Sequence, residues 1–263
     1  MCIRDRVLIT HGIEVWQPMS NWKKRQLQCC DTIISVSNFT RQKLIDIQGA
    51  HPRKCFVLNN CLDPFLANKT TFQKPDNLLL QYGLKRTDIV LMTLTRLANT
   101  ERHKGYDKVI AAISLLQKKT SAHFKYLIAG KYTDEEKSFI LRLAEKNGVL
   151  VILTGYINDR ELPAYFALAD IYIMPSKKEG FGITFIEAMY YGLPVIGGNA
   201  DGSADALDNG NFGILVNPDS VAEIEAAIEK LIQHKSSFIP QKEKLMQKFG
   251  FETYRKNLQN ILN

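Results

Sequence analysis

Short apolar runs alternate with longer amphipathic stretches along most of this chain. Apolar runs of about four to eight residues are typical of buried strands, and a 3.6-residue apolar period is typical of helices. Between residues 88 and 169 the runs 88–95, 124–130 and 149–155 alternate with helical patterns at 106–118, 134–146 and 159–169. This alternation predicts a parallel sheet with right-handed crossovers, that is, a complete Rossmann-like domain.

The first sixty residues carry the same alternation in a shorter form. They predict a buried strand at 7–10, a helix from Asn21, and further strands at 31–37 and 55–58. Ser37 or Asn38 can cap a helix over 39–49, which Gly49 ends. Two to three βα units are too few for a complete Rossmann-like domain.

Four segments follow from these patterns. Residues 63–86 are predicted as a linker, since the first part of this segment is polar and it contains Pro64 and Pro75. We therefore divide the chain into a partial N-terminal domain at 1–62, the linker, a nucleotide-binding domain at 87–240, and an amphipathic C-terminal helix within 241–263.

Composition indicates an ordinary globular protein. The chain has 263 residues, of which 45% are hydrophobic and 23% charged, and it contains neither a run of ~18 apolar residues nor a signal-peptide core. The five cysteines show no C-x-x-C pair, and Cys29 and Cys30 are expected to be small buried residues in a reducing compartment. We predict a cytoplasmic protein, and the scattered histidines predict no metal site.

The net charge of +7 admits an anionic partner. Lys and Arg are spread along the chain without a nucleic-acid motif, so we predict no nucleic-acid partner. Trp16, Trp22, Lys23, Lys24 and Arg25 lie close enough in sequence for a peripheral contact with anionic lipid at the inner face of a membrane. The preferred alternative is that this segment packs its tryptophans inward.

The richest chemistry lies in residues 171–196, IYIMPSKKEGFGITFIEAMYYGLPVI. The pattern predicts a strand, a Gly-rich loop, a helix from about Ile183 and a second strand. Glu179 precedes Gly180-Phe181-Gly182, and Glu187 follows within the helix. Unpaired amides at a helix start suit a phosphate or a sugar hydroxyl, and a carboxylate suits a ribose diol. On spacing alone, two surface glutamates are the simpler interpretation.

The segment E-G-F-G-I-T-F-I-E, followed by A-M-Y-Y-G-L-P-V-I, resembles the E-x7-E signature of glycosyltransferase family 4, which are retaining enzymes of the GT-B fold. The resemblance implies that Glu179 meets the donor sugar and that Glu187 holds the nucleotide ribose. It also implies donor contacts from four consecutive residues through their backbone: Phe181, Gly182, Ile183 and Thr184.

Two cations follow the strand at 88–95. Arg96 ends it and Lys104 opens the next helix, where they could surround a diphosphate. By themselves they are a weak signal, but the resemblance gives an Arg and a Lys this role. Thr95 stands where the family has Gly, and the loop between the cations is longer than usual, so Arg102 is a substitute candidate.

Three further segments carry predictions. T-H-G-I-E-V-W resembles the family's active-site segment, which implies that His11 faces the donor sugar, whereas a lone His is otherwise a structural hydrogen-bonder. Tyr156 and Ile157 lie where the family packs the nucleotide base, although a plain strand-to-helix turn is the alternative. Asp201-Gly202-Ser203 is expected to be mostly structural, with Ser203 capping a helix over 204–207.

The resemblance therefore implies an α/β protein of GT-B type, with one complete Rossmann-like C-terminal domain, a partial N-terminal one, and a C-terminal helix that crosses back to the first domain. It implies retaining transfer of a sugar from a nucleotide-diphosphate sugar to a glycan or lipid-linked acceptor, in polysaccharide or glycoconjugate assembly. No cofactor or metal is expected, and the catalytic residues are His11, Arg96, Lys104 and Glu179.

Two alternatives stay open. A GT-B enzyme has roughly a hundred residues more before the His11 segment, so we expect a fragment or a misassigned start, with MCIRDR not native. The chain would then be an inactive or partner-dependent nucleotide-sugar-binding module. The other alternative is a nucleic-acid or membrane scaffold with a Rossmann-like core, which would bind polyanions in a salt-dependent way.

Overall fold

The structure, a computed structural model, describes residues 5–66 and 73–263. Cys2 and the first four residues of MCIRDR lie outside these ranges. The described strands are β1 Val7–Thr10, β2 Thr32–Ser35, β3 Cys55–Val57, β4 Ile89–Leu94, β5 Phe124–Ala129, β6 Leu150–Gly155, β7 Ile171–Met174, β8 Val195–Gly198 and β9 Ile214–Val216. The described helices are α1 Asn21–Gln28, α2 Asn38–Gln48, α3 Asp76–Tyr82, α4 Tyr106–Lys119, α5 Asp134–Asn147, α6 Leu162–Leu168, α7 Ile183–Tyr190, α8 Ser203–Ala206, α9 Val221–Gln233, α10 Lys242–Phe249 and α11 Phe251–Leu262.

The strands form two sheets, and every neighbouring pair is parallel, as predicted. The first sheet has the order β1-β2-β3 and the second the order β6-β5-β4-β7-β8-β9. In the second sheet β4 lies between β5 and β7, so the direction of chain progression reverses there. Open α/β sheets bind ligands at such a switch point, beyond the carboxyl ends of the strands.

The second sheet is buried on both faces, as parallel sheets are. Alternate β4 residues face opposite cores: Val90 and Met92 lie in one hydrophobic cluster, and Leu91 lies in the other. Helices α4 and α9 cover one face, whereas α6 and α7 contribute to the core on the other. The near-continuous apolar runs in the sequence reflect this burial on two sides.

The first sheet is buried at its central strand and partly exposed at its two outer strands. Leu8 and Ile33 pack with residues of α1 and α2, such as Leu27 and Leu44. On the opposite face Val7 is 44% and Ile9 47% exposed, whereas Ile34 of β2, the register partner of Ile9, is 1% exposed. The prediction of a buried first strand is therefore wrong for half of its residues, because β1 lies at the edge of the sheet.

The predicted caps of the second helix are confirmed. The Ser37 side chain accepts a hydrogen bond from the Thr40 amide, and Gly49 ends α2 in the left-handed conformation. The N-terminus of α2 also touches the second sheet's helices. Asp205 of α8 accepts hydrogen bonds from the Asn38 amide at 2.9 Å and from Asn38 Nδ2 at 2.7 Å.

Two predicted helices differ from the structure. Helix α6 begins at Leu162 rather than at residue 159, because Asn158 Oδ1 accepts a hydrogen bond from the Arg160 amide in a turn that precedes it. The C-terminal stretch forms two helices, α10 and α11, separated by the extended residue Gly250. The amide of Leu62 donates to the carbonyl of Phe249, the last residue of α10, which joins this region to the chain that leaves the first sheet.

The described part of the predicted linker at 63–86 contains α3. Lys74, just before this helix, pairs with Asp170 at 2.6 Å. The tryptophan prediction is correct for Trp16, which is buried, but not for Trp22, which is 69% exposed. Cys29 is exposed rather than buried. Among the described residues, no helix has both the length and the apolar character needed to cross a membrane.

Candidate functional site

The predicted site residues of the second sheet gather at the switch point. Arg96 follows β4, and Glu179 lies between β7 and α7; β4 and β7 are hydrogen-bonded neighbours, with Leu91 opposite Ile171. Because the carboxyl ends of parallel strands meet at one edge, these loops face each other. The fold thus brings together residues that are some eighty positions apart in sequence.

Lys104 and Glu179 form an ion pair at the centre of this edge. Lys104 Nζ lies 2.5 Å from Glu179 Oε2, and the two side chains are 13% and 19% exposed. A charge-assisted bond of this length between largely buried groups fixes both side chains. The sequence predicted both residues for the site but did not predict their contact.

The backbone around Gly105 permits this contact. Gly105 has φ +79°, ends a turn of 3₁₀ helix at Asn99–Lys104 and precedes α4. A Cβ at this position would overlap the carbonyl oxygen of Pro175, which follows β7. Only glycine allows both the left-handed conformation and so close an approach.

Arg96 also has a carboxylate partner. Its guanidinium lies 3.3 Å from Glu101 Oε1, and the Arg96 side chain is 80% exposed at the mouth of the site. An exposed pair of this kind is weak and open to exchange. Arg96 can therefore turn to an anionic ligand at small cost.

Arg102 is engaged elsewhere. It forms a forked pair with the fully buried Glu136, through Nε at 3.1 Å to Oε1 and Nη2 at 3.0 Å to Oε2. The Tyr106 hydroxyl donates to the same carboxylate, and the guanidinium stacks 3.9 Å from the ring centre of Phe139. This network joins α4 to α5, and it argues against Arg102 as a substitute for Arg96.

The start of α7 offers backbone donors. Gly182 is its N-cap, and within the described residues the amides of Ile183 and Thr184 donate to no backbone acceptor. The Phe181 side chain is buried against Phe249, so only its backbone can meet a ligand. The Thr184 hydroxyl accepts a hydrogen bond from Tyr172 at 2.7 Å. These amides, with the helix dipole, can bind an anion.

Glu187 is a half-buried carboxylate in α7, about one helical turn after Thr184. Burial, aided by the nearby charges of Asp159 and Asp63, raises the pKa of Glu187 to about 7. A carboxylic acid poised near neutrality is typical of a functional site. When ionised it can accept two hydrogen bonds from a diol.

His11 reaches the same edge from the first sheet. It follows β1 and is exposed, and Glu14 Oε1 accepts hydrogen bonds from the amides of His11 at 2.5 Å and Gly12 at 3.0 Å. The His11 carbonyl packs so closely on Gly180 that a Cβ there would overlap it. The first sheet therefore contacts the loop that carries Glu179.

The proposed base-binding pair lies at the end of β6. Tyr156 is 64% exposed, with Lys131 Nζ 5.3 Å from its ring centre, whereas Ile157 is buried in the core. An exposed aromatic ring beside a sheet edge can stack on a flat base. Ile157 can contribute only through its backbone or as support.

Asp201 was predicted to be mostly structural, and the structure gives it a more specific position. It is 2% exposed; its Oδ2 accepts a hydrogen bond from the Glu179 amide at 2.6 Å and its Oδ1 one from the Ser203 amide at 2.9 Å. Burial raises the pKa of Asp201 to about 6. Ser203 is the first residue of α8, not its cap as predicted. The only sequence signal for the position of Asp201 was the Asp-Gly pair that comes after β8.

Comparison with protein families gives one match over most of the chain. The family model described as "Glycosyl transferases group 1" matches residues 81–253. A GDP-mannose-dependent alpha-(1-6)-phosphatidylinositol monomannoside mannosyltransferase of Mycobacterium tuberculosis is 30% identical in an alignment that covers 87% of this chain and 60% of that protein. The serotype-specific mannosyltransferase WbdA of Escherichia coli is 25% identical over 78% of this chain and 24% of its own length.

Solved structures show a similar fold. Anabaena Alr3699/HepE in complex with UDP and glucose superposes with a TM-score of 0.78 at 21% identity, over 98% of this chain and 71% of that one. This likeness confirms the predicted α/β fold of GT-B type. The chain spans less than two thirds of the length of each curated relative named above.

Proposed function

The chain belongs to the glycosyl transferase group 1 family, and from this premise we propose that it transfers a sugar from a nucleotide-diphosphate sugar to an acceptor hydroxyl. The observation that carries the proposal is the Lys104–Glu179 pair at the switch point, beside the amide-bearing start of α7. This arrangement places a cation, backbone donors and a carboxylate around one edge of the sheet. A sugar diphosphate requires such a combination.

Each side chain and amide at the switch point has a proposed role. Lys104 and Arg96 bind the diphosphate, and with the amides at the start of α7 they stabilise the negative charge that grows on it as the bond to the sugar breaks. Preorganised donors of this kind are worth about 3 kcal/mol each in well-studied enzymes. Glu179 and His11 contact the sugar, Glu187 binds the ribose diol, and Tyr156 and the Ile157 backbone pack against the base.

We further propose that the reaction retains the anomeric configuration of the transferred sugar. The leaving phosphate would take the proton of the acceptor hydroxyl on the same face of the sugar as the new bond forms. The protein then needs to supply charge and orientation rather than a covalent nucleophile. The roles assigned to Lys104 and Arg96 require neither a metal nor a cofactor.

The substrates are proposed by class. A relative is named for GDP-mannose and a neighbouring structure for UDP and glucose, so both donors are candidates. The acceptor is proposed to be a glycan or a lipid-linked glycan, in line with the phosphatidylinositol mannoside in the name of one relative. A cytoplasmic location, with peripheral contact at the membrane, fits that acceptor.

Calorimetric titration tests the donor site directly. The chain is titrated with UDP, GDP, UDP-glucose and GDP-mannose, beside Glu187→Ala and Lys104→Ala. One nucleotide is expected to bind, and each substitution should weaken it tenfold or more, about 1.4 kcal/mol. Folded protein that binds none of the four would contradict the proposal.

A second candidate is a nucleotide-sugar-binding module that needs a partner for turnover. The exposed apolar side chains of the two outer strands of the first sheet, Val7, Ile9 and Phe56, favour it, because apolar residues exposed together can mark a surface that a partner covers. This candidate predicts the same binding but no sugar transfer or donor hydrolysis by the isolated chain. Assay of released nucleotide separates the two.

A further inference from the structure

Glu179 lies on an irregular loop between β7 and α7, yet its side chain meets Lys104 at hydrogen-bond distance. Within this loop the Lys178 amide donates to Ser176 Oγ at 3.2 Å, but the described hydrogen bonds of the Glu179 amide and carbonyl are made with residues outside it. A carboxylate on an irregular loop would sample many orientations if its backbone were not held. A binding site that must orient a substrate precisely requires its side chains to keep one orientation.

The backbone of Glu179 is held from outside by residues 201 and 202. Its N–H donates to Asp201 Oδ2 at 2.6 Å, and its carbonyl accepts from the Gly202 amide at 2.8 Å. One residue is thus bound at both its donor and its acceptor. Asp201 is in turn fixed by the bond from the Ser203 amide at 2.9 Å to its other oxygen.

The close approach of the two loops depends on glycine. A Cβ at Gly202 would overlap the carbonyl oxygens of Gly180 and Glu179, and a Cβ at Gly180 would overlap the carbonyl of His11. The Asp201 loop, the Glu179 loop and the end of β1 are therefore stacked backbone on backbone. On its other side the Glu179 loop is tied by the Lys177 amide, which donates to the His103 carbonyl at 3.0 Å.

We propose that Asp201 is a positioning residue that, together with the Gly202 amide, holds Glu179 in the orientation needed to meet the donor's sugar. This inference rests on the proposed function, since it assumes that Glu179 contacts the sugar. Asp201 itself does not touch the substrate, because it is 2% exposed and lies behind the loop. Its effect is exerted through the peptide of Glu179.

The substitution Asp201→Asn tests the inference, because Asn has nearly the same size and shape as Asp. A carboxylate presents two acceptor oxygens, whereas an amide presents one oxygen and an NH2 donor. Either the Glu179 amide or the Ser203 amide must then lose its acceptor. The matched control is Asp88→Asn, a 4% exposed carboxylate outside the site, whose Oδ2 accepts from the Lys85 amide at 2.9 Å.

The first readout is hydrogen exchange by mass spectrometry, and it requires no ligand. In Asp201→Asn, exchange in peptides covering residues 175–182 should accelerate at least tenfold relative to wild type, while Asp88→Asn should leave these peptides unchanged. Unchanged exchange in Asp201→Asn would overturn the inference. If Asp201→Asn does not fold, Asp201→Ser, which keeps one hydroxyl oxygen on a shorter side chain, replaces it in the same comparison.

The second readout separates positioning from general stability. The full chain and both variants are titrated with UDP, GDP, UDP-glucose and GDP-mannose. Asp201→Asn should weaken the sugar nucleotide about tenfold and leave the corresponding nucleoside diphosphate within twofold. Equal weakening of both ligands, or the same result from Asp88→Asn, would overturn the inference. If wild type binds no nucleotide, the proposed function fails and the sugar-positioning role fails with it, whereas the exchange result still shows whether Asp201 holds the loop.

Discussion

Lys104 Nζ and Glu179 Oε2 lie 2.5 Å apart although their residues are 75 positions apart in sequence. The pair joins the turn before α4 to the loop before α7, across the two strands at which the sheet changes direction. Each partner is thereby held at the switch point, where we propose that the diphosphate and the sugar of the donor lie.

Lys104→Met should weaken binding of a nucleoside diphosphate tenfold or more, and it should also destabilise the chain by about 1–3 kcal/mol, because the largely buried Glu179 carboxylate loses its partner. Met keeps most of the aliphatic stem but cannot donate to phosphate or to Glu179. Calorimetry with UDP and GDP measures the change. Lys108→Met, which alters an exposed cation next to Asp107, is the control, and an equal loss in both variants would refute the assignment of Lys104.

The affinity for the nucleoside diphosphate should depend on pH through Glu187, whose pKa is raised to about 7. Between pH 8 and pH 6 the ionised fraction falls about tenfold, and the ribose diol loses its charged acceptor. Wild type should therefore bind several-fold more weakly at pH 6. Glu187→Gln should bind more weakly at pH 8 and show a flatter profile; a parallel profile in both proteins would exclude Glu187 as the titrating group.

The same carboxyl should limit stability at high pH. Because burial raises its folded-state pKa above the unfolded value, the acid form is favoured by folding, and that contribution is lost as pH rises through about 7. Glu187→Gln should therefore raise the free energy of unfolding at pH 8 by up to about 3 kcal/mol. Near pH 4 the two proteins should be alike in urea titrations. A variant less stable than wild type at pH 8 would contradict this.

Arg102→Met should lower the midpoint of thermal unfolding, since it leaves the fully buried Glu136 carboxylate without its cation. Nucleotide affinity should change less than threefold, because Arg102 faces Glu136 and Phe139 rather than the site. The double variant Arg102→Met/Glu136→Gln should recover part of the stability. Loss of nucleotide binding in a folded Arg102→Met protein would restore Arg102 as a diphosphate ligand.

The exposed Trp22 with Lys23, Lys24 and Arg25 predicts binding to anionic vesicles. Each cation near such a surface contributes about 1 kcal/mol at low salt. Replacing all three with Ser should lower co-sedimentation with phosphatidylglycerol vesicles more than tenfold. Binding to neutral phosphatidylcholine vesicles should be weak for both proteins. Equal binding of the triple variant to anionic vesicles would rule out this surface.

Much of the second sheet follows from the sequence because its strands are buried on both faces and read as unbroken apolar runs. The start of α7 was also predictable, since the Gly-rich loop and the following helical period mark it. The three apolar residues of β1 could not reveal which of them would be exposed, because exposure depends on the strand's place at the edge of the sheet and on what packs against it. The break at Gly250 has a sequence signal, since a glycine within a helical pattern marks a possible helix end.

The site was less predictable than the fold. The roles proposed for Glu179, Glu187, Lys104 and Arg96 follow from a motif, but the hydrogen bond from the Glu179 amide to Asp201 joins a backbone to a side chain 22 residues away. No periodicity encodes such a bond. Arg102 and Arg96 look equivalent in sequence, and only the buried Glu136 distinguishes them.

Asp205 accepts two hydrogen bonds from Asn38 at the first turn of α2, and the Leu62 amide is bound by the end of α10. A parallel sheet of three short strands is marginal by itself. The first sheet therefore depends for its integrity on residues that lie more than 140 positions later in the sequence. Heating should melt both sheets in a single cooperative transition.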